Sequence, residues 1–319
     1  MSLLGIDLGG TKLAMTLFDE DGTIVDKQYI ALAGREGNEV GSLITSNIES
    51  FTTADQYKNH RVRSIGISVP GISRSGTGTV WAPNIPGWDD YPLLREVAAV
   101  AGNIPVTIDS DRACSILGEV WQGKAKGCRD AIFLVVGTGI GAGIIANGAV
   151  LRGAHDISGA VGWMALSRPF MDDYTRYGCF EYYASGNGIA RITQKILNDD
   201  KSYSGSLRGK AIEEITAHDL FNAYSMYDPV ATEVFRICIE YWGMAIANLV
   251  SIFNPEKIIL GGGVFGPAIQ FIPSIKTEAA KWAQPISIQQ VSIEPSALGS
   301  DAGVFGAGYL AKQAIHPKE

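Results

Sequence analysis

At 319 residues the chain is long for one ordinary core and suits two domains. Its 46% hydrophobic and 18% charged residues are those of a folded globular protein, and a net charge of −7 leaves no electrostatic footprint for nucleic acid or an anionic membrane surface. The apolar start MSLLGI leads straight into a strand pattern without the flanks of an export signal. The longest apolar stretches, around 130–151 and 241–253, are broken by glycine or polar residues, so no membrane span is expected. Cysteines 114, 128, 179 and 238 form no CxxC pair; they read as free, mostly buried thiols of a reducing compartment, and the expected location is cytoplasmic.

Glycine is in excess, 38 residues with no G-X-Y period, so it must serve turns and close backbone approaches. The opening LLGIDLGGTKLAMTLFDEDGTIVDKQYI reads as three strands joined by turns at Gly9-Gly10 and Asp21-Gly22. Apolar residues at Val40, Leu43, Ile44, Ile48 and Phe51 predict a helix over about 38–53, and RVRSIGISVPG returns to strand before stopping at Pro70-Gly71. A loop from Gly71 to Trp88 precedes a helix at 92–101, a strand at 105–108 and another helix from about Arg112. AIFLVVGTGIGAGIIANGAVL then repeats strand, glycine turn, strand, a weak echo of the N-terminus. Helical patterns fill 188–250, IFNPEKIILGGGV ends a strand in glycines, and a small-residue terminal helix is expected at about 303–317. The expected domains are 1–110, joined by that terminal helix, and 111–302, with a hinge near Asp109–Arg112.

Four constellations bear on chemistry. In Asp7-Leu8-Gly9-Gly10-Thr11-Lys12 the glycines let backbone amides approach phosphate oxygens, Thr11 can donate to a phosphate and Asp7 can hold Mg²⁺ through water; taken alone, the same residues make an ordinary tight turn. Gly137-Thr138-Gly139 in GTGIGAG has the same logic. No GK[ST] follows it, and a strand follows where a dinucleotide fingerprint needs a helix. Gly261-Gly262-Gly263 can bring backbone against a flat ligand, or serve close helix–strand packing. Asp109-Ser110-Asp111, at a strand-to-helix corner, offers a carboxylate to accept a proton from an attacking hydroxyl, or a plain helix cap.

These segments occur in one order, and with GISVPG, VWAPNIPGW, PVTIDSDRACSILGE, GCFEYYASG and ALGSDAGVFGAG the chain resembles the ROK family (repressor, open reading frame, kinase) of the actin, Hsp70 and hexokinase superfamily from Gly5 to about Leu310. The resemblance implies an α/β, two-lobed actin-like ATPase (ribonuclease H-like) fold, each lobe a mixed sheet flanked by helices, with the active site in the interlobe cleft. It implies ATP and Mg²⁺ as cofactors, a small-molecule sugar as substrate, and a homodimer. Asp7 would orient Mg²⁺; Gly9, Gly10, Thr11 and Lys12, with Thr138 and Gly139, would bind phosphates; Gly261, Gly262 and Gly263 would flank adenosine. Asp111 matches the catalytic base, Ser110 stands where a sugar-binding asparagine is usual, and Gly71, Asn84 and Glu181 match positions lining the sugar pocket.

The match fails at one place. The family's Glu-x-Gly-His and CxCGxxGC zinc segments read here Ala160-Val161-Gly162-Trp163, with Asp172 and Tyr174 where two cysteines would stand, and of the cysteines only Cys179 is kept. One thiolate cannot close a tetrahedral site, even with His155 and Asp156 in the same stretch, so no structural zinc is expected. The polar Glu and His of the sugar pocket are lost with it. A modified, amino-substituted, furanose or deoxy sugar is therefore expected in place of plain glucose, with Trp163 against the sugar or filling the space of the missing knuckle. The alternatives are a non-catalytic sugar or nucleotide sensor and a sugar-responsive regulator; for the latter no DNA-binding helix-turn-helix precedes Asp7 in this sequence.

Overall fold

The computed structural model describes residues 2–316; Met1 of the opening apolar run and position 317 of the expected terminal helix lie outside the described residues. Strand β1 (Ser2–Leu8) is buried almost throughout because it has a neighbour on each side, antiparallel β2 (Lys12–Asp19) and parallel β4 (Val62–Val69). With β3 (Ile24–Ala31) and β7 (Val106–Ser110) these make a five-stranded sheet in the order β3-β2-β1-β4-β7. Helices α1 (Gly37–Thr53), α2 (Leu93–Ala101) and α3 (Asp111–Gln122) follow the predicted periodicity. The stretch expected as a loop from Gly71 contains a short hairpin, β5 (Ile72–Arg74) with β6 (Thr79–Trp81).

The second sheet repeats the scheme: β8 (Ala131–Val136) pairs antiparallel with β9 (Ile140–Ala146) and parallel with β11 (Lys257–Gly261), giving β10-β9-β8-β11-β12 with β10 at Ala149–Val150 and β12 at Ser292–Pro295. Between β10 and β11 lie α4 (Tyr174–Tyr177), α5 (Cys179–Ala184), α6 (Gly186–Asp199), α7 (Ala217–Ser225) and α8 (Pro229–Phe253); α9 (Ile272–Trp282) and α10 (Ser287–Gln290) precede β12. Helix α8 starts on a capping Asp228, which accepts from the Val230 and Ala231 N–H groups, and stops at Asn254 in the left-handed region (φ 44°). By length and composition α8 is apolar enough to cross a bilayer. Its Phe235, Trp242, Ile246 and Leu249 are fully buried in the protein, which accounts for that character.

Among the described residues two compact units result: those up to Gly127 with Val150–Ser158 and those from Ser300 on, and Cys128–Ala149 with Gly159–Gly299. Helix α3, assigned by sequence to the second lobe, lies in the first, and glycine is the reason. The C-terminal helix Ala302–Ile315 presses on it so closely that a Cβ at Gly306 would fall 1.7 Å from the Cys114 carbonyl oxygen, and one at Gly118 2.3 Å from that of Ala302. The same helix lies on the sheet over Gly5 and Gly66, which are register partners; added Cβ atoms there would meet Val304 O at 2.7 Å and Ala307 O at 1.9 Å. The division between units therefore follows α3 rather than the Asp109–Arg112 corner.

Candidate active site

In the first unit the carboxylates gather at strand ends. Asp7 stands near the end of β1, where a Cβ on Gly303 of the C-terminal helix would lie 2.8 Å from its oxygens, so a side chain there would displace the carboxylate. Burial pushes the Asp7 pKa up to about 6, and repulsion from Asp111 adds to it. The hairpin after it closes through Gly9 N–H to Lys12 O at 2.9 Å. Thr11 is exposed, and the Lys12 ammonium sits 4.7 Å over the Tyr29 ring. Asn84 stands at the hairpin tip: its amide nitrogen would be 3.0 Å from a Cβ on Gly10, so a residue expected to bind sugar and one expected to bind phosphate are brought together.

The Asp109-Ser110-Asp111 triplet separates into three tasks. Asp109 is buried and takes a two-pronged bond from Arg152, Nε at 3.0 Å and Nη2 at 2.5 Å to the same oxygen, while its other oxygen accepts from the Ser110 N–H. Ser110 caps α3, its hydroxyl accepting from Ala113 N–H at 3.3 Å. Asp111, at the first turn of α3, is open to solvent yet crowded by protein. That desolvation raises its pKa, against the pull of Arg112 and of the backbone N–H that Arg112 donates at 2.8 Å. Arg112, which the sequence did not single out, also reaches the Gly71 carbonyl at 3.1 Å; Gly71 is held at φ 81° where a side chain would strike Trp81 O at 2.1 Å. Cys114 is buried among these acids, and burial with Asp109 and Asp7 nearby lifts its thiol well above the usual range, leaving it inert.

In the second unit the Gly137–Gly139 hairpin closes by Gly137 N–H to Gly139 O at 2.9 Å, and α6 is tied to it by Gly186 N–H to Gly137 O at 2.7 Å. A cavity of about 830 Å³ opens here, lined by Gly137, Thr138, Asn187, Arg191, Phe221 and Gly263 among others. Gly263 alone of its triplet faces it, with nothing within 4 Å of an added Cβ. Gly261 is packed against Phe133 (2.3 Å), and Gly262 combines φ 88° with Val136 O at 2.4 Å, so these two serve packing and the turn. Glu181 on α5 accepts from the Ile140 N–H at 2.7 Å and fills the space beside Gly139 and Gly162; burial raises its pKa, with the Ile140 bond and Arg191 opposing.

Trp163, in a single turn of 3₁₀ helix, is 55% exposed, whereas Tyr174 and Cys179 are buried. Among the described residues no three His, Cys, Asp or Glu side chains converge to hold a metal ion.

Two sheets of the same strand order, each opening with a hairpin that carries glycine and threonine, are the α/β, two-lobed actin-like fold. The ROK family profile matches residues 3–314, and the chain belongs to that family. It is 35% identical to a glucokinase of Halalkalibacterium halodurans, over 97% of this chain and 94% of that one. It is 30% identical to a xylose repressor of Caldicellulosiruptor bescii, over 96% of this chain and 76% of the relative. Among solved structures, a ROK family glucokinase from Streptomyces griseus in complex with glucose and AMPPNP superposes with TM-score 0.78 at 28% identity, covering 98% of this chain and all of that one (100%).

Proposed function

We propose that the chain is an ATP-dependent sugar kinase in which Asp111 is the base that takes the proton of the attacking sugar hydroxyl. The observation that carries this is the sorting of the two neighbouring acids: Asp109 is consumed by Arg152, and Asp111 alone is left accessible at the strand-to-helix corner, with a raised pKa suited to proton transfer. The hydroxyl oxygen attacks the γ-phosphorus, the bond to the bridging oxygen breaks, ADP leaves, and the hydroxyl proton passes to Asp111. Backbone N–H groups of the Gly9–Thr11 and Gly137–Gly139 hairpins, with the Thr11 and Thr138 hydroxyls, hold the phosphates, and the cavity at Gly263 takes the nucleoside.

The oxygen-donor chemistry fits Mg²⁺: Asp7 is a half-buried carboxylate whose pKa is raised first by desolvation and further by Asp111, both of which a hard cation would relieve, and when bound Mg²⁺ neutralises charge on the transferring phosphoryl group. Asn84, Gly71 and Glu181 border the sugar, and Ser110 contributes through the cap that fixes Asp111. A cytoplasmic location, where ATP is supplied, and a homodimer belong to the same proposal.

The test is coupled ADP release with Mg-ATP across hexoses, ketoses and amino, N-acetyl and deoxy sugars. Turnover on one sugar that Asp111→Asn abolishes, with ATP binding kept, supports the kinase; an Asp111→Asn variant of full activity removes Asp111 as the base. Ala160 and Trp163 favour one second reading, a sensor that binds ATP and turns over no sugar, and the same panel separates the two.

A further inference from the structure

The cavity at the Gly137–Gly139 hairpin is served by a single strongly basic side chain. Among the described residues that line it, Arg191 is the one Lys or Arg; it faces one carboxylate, Glu213, and neutral polar groups such as Asn187, Gln194 and Thr216. A nucleotide carries several negative charges into this space, so the setting of that cation matters.

Helix geometry places it. Asn187, Arg191 and Gln194 recur at i, i+4 and i+7 along α6 and share the face that lines the cavity. The start of α6 is tied to the hairpin, Gly186 N–H to Gly137 O at 2.7 Å and Asn187 N–H to Thr138 O at 3.4 Å. Long side chains on a helix lean towards its N-terminus. Arg191 does so, since its Nη1 donates at 2.9 Å to the carbonyl of Tyr182, a residue that precedes α6. Glu181 marks the same corner: a Cβ on Gly139 would lie 2.8 Å from its Oε2, and the Arg191 charge is felt there, opposing the rise that burial gives the Glu181 pKa.

The guanidinium is held in place and only partly spent. It lies 4.0 Å over the Tyr177 ring, which also lines the cavity, and 4.8 Å over that of Tyr182. Nη1 is used on the Tyr182 carbonyl, and the Glu181 carboxylate takes the Ile140 N–H at 2.7 Å instead. No acceptor among the described residues is set against Nε or Nη2. That edge of a planar guanidinium is the one that pairs with two oxygens of a phosphate.

We infer that Arg191 is a phosphate-binding residue of the nucleotide site, taking oxygens of the phosphoryl donor on its Nε and Nη2 edge while Tyr177 and Tyr182 hold its plane. The inference rests on the reading of this cavity as the nucleotide site. It adds a full charge where the hairpin amides supply partial ones, so affinity depends on Arg191 only for ligands that carry phosphate.

The experiment is calorimetry with adenosine, ADP and the non-hydrolysable analogue AMPPNP, in the presence of Mg²⁺, on the unaltered protein, Arg191→Gln and Arg191→Lys. Arg191→Gln is expected to weaken ADP and AMPPNP by about tenfold or more, the scale of a lost hydrogen bond to a charged group, and to leave adenosine within about twofold. Arg191→Lys keeps the charge without the fork. It should bind AMPPNP more weakly than the unaltered protein and more tightly than Arg191→Gln, and it carries the test where the glutamine variant does not fold. Equal losses for adenosine and AMPPNP show a guanidinium that holds the cavity wall, and unchanged affinity for all three shows one that touches no ligand. Either result overturns the inference, as does an unaltered protein that binds none of the three. Failure of the kinase proposal looks different: the phosphate-dependent loss is present, yet the unaltered protein transfers phosphate from ATP to no sugar.

Discussion

Replacing Arg152 by alanine isolates the contact that separates the two acids. Asp109 has a side chain only 7% exposed and two guanidinium bonds on one oxygen, while Arg152 itself is 43% exposed. Breaking a fully buried pair costs about 3–5 kcal/mol, but water already reaches the guanidinium here and can enter when it is removed. The expected loss is therefore about 2 kcal/mol, within the range for hydrogen bonds to charged groups. For a chain of this size that lowers the melting temperature by roughly 3 °C. Differential scanning calorimetry of Arg152→Ala, Asp109→Asn and the double variant gives both the loss and the coupling. The pair should couple by more than about 1 kcal/mol, because the second substitution removes the stranded charge the first creates. An Arg152→Ala protein melting within about 1 °C of the unaltered one would refute the account, since the bond would then contribute nothing.

Glycines that look alike in the sequence should respond in opposite ways. Gly306→Ala, whose Cβ would fall 1.7 Å from Cys114 O, should destabilise by about 3 kcal/mol in urea melts, whereas Gly263→Ala, open on all sides, should leave stability unchanged and raise KM for ATP. Asp7 gives a pH test in metal-free buffer. Its folded pKa of about 6 lies above the ordinary 3.8, so the folded state holds the proton more tightly and stability falls as pH rises through that window. Asp7→Asn should therefore be more stable than the unaltered protein at pH 7, by roughly 3 kcal/mol at most, and equal to it below pH 4; a loss at pH 7 would show that the ionised form is favoured by the fold.

What could be read from the sequence was what a local pattern dictates. Gly9-Gly10 and Gly137–Gly139 announce hairpins because two strand patterns flank them, and what the sequence offers only as a weak echo is in the structure a second sheet of the same strand order. The boundary between units was not legible at Asp111, because what holds α3 in the first unit is Gly118 against Ala302 and Cys114 against Gly306, contacts between residues far apart in the chain. Arg152 escaped for the same reason: its partner is 43 positions away, and a lone surface arginine carries no signal. For Gly261–Gly263, composition could not divide packing from ligand approach, since both need a missing side chain; only the positions of Phe133 and Val136 assign two of the three to packing.

The stretch where the family resemblance places a zinc knuckle shows why Trp163 is free to serve a ligand. Had the indole replaced the metal as core filling it would be buried, yet the buried groups there are Tyr174 and Cys179. An aromatic lattice does the fixing: Tyr183 stacks on Tyr241 with centroids 4.2 Å apart, Tyr174 meets Tyr182 edge-on at 5.6 Å, and the Arg191 guanidinium lies 4.0 Å over Tyr177. Each such pair adds about 0.5–1.5 kcal/mol beyond the area it buries, spread over α4, α5, α6 and α8 rather than concentrated in one ion. Because those contacts position α5, and with it Glu181, without Trp163, truncating the indole should leave the fold intact: Trp163→Ala is expected to melt within about 1 °C of the unaltered protein, and a drop of several degrees would show that the indole is part of the scaffold.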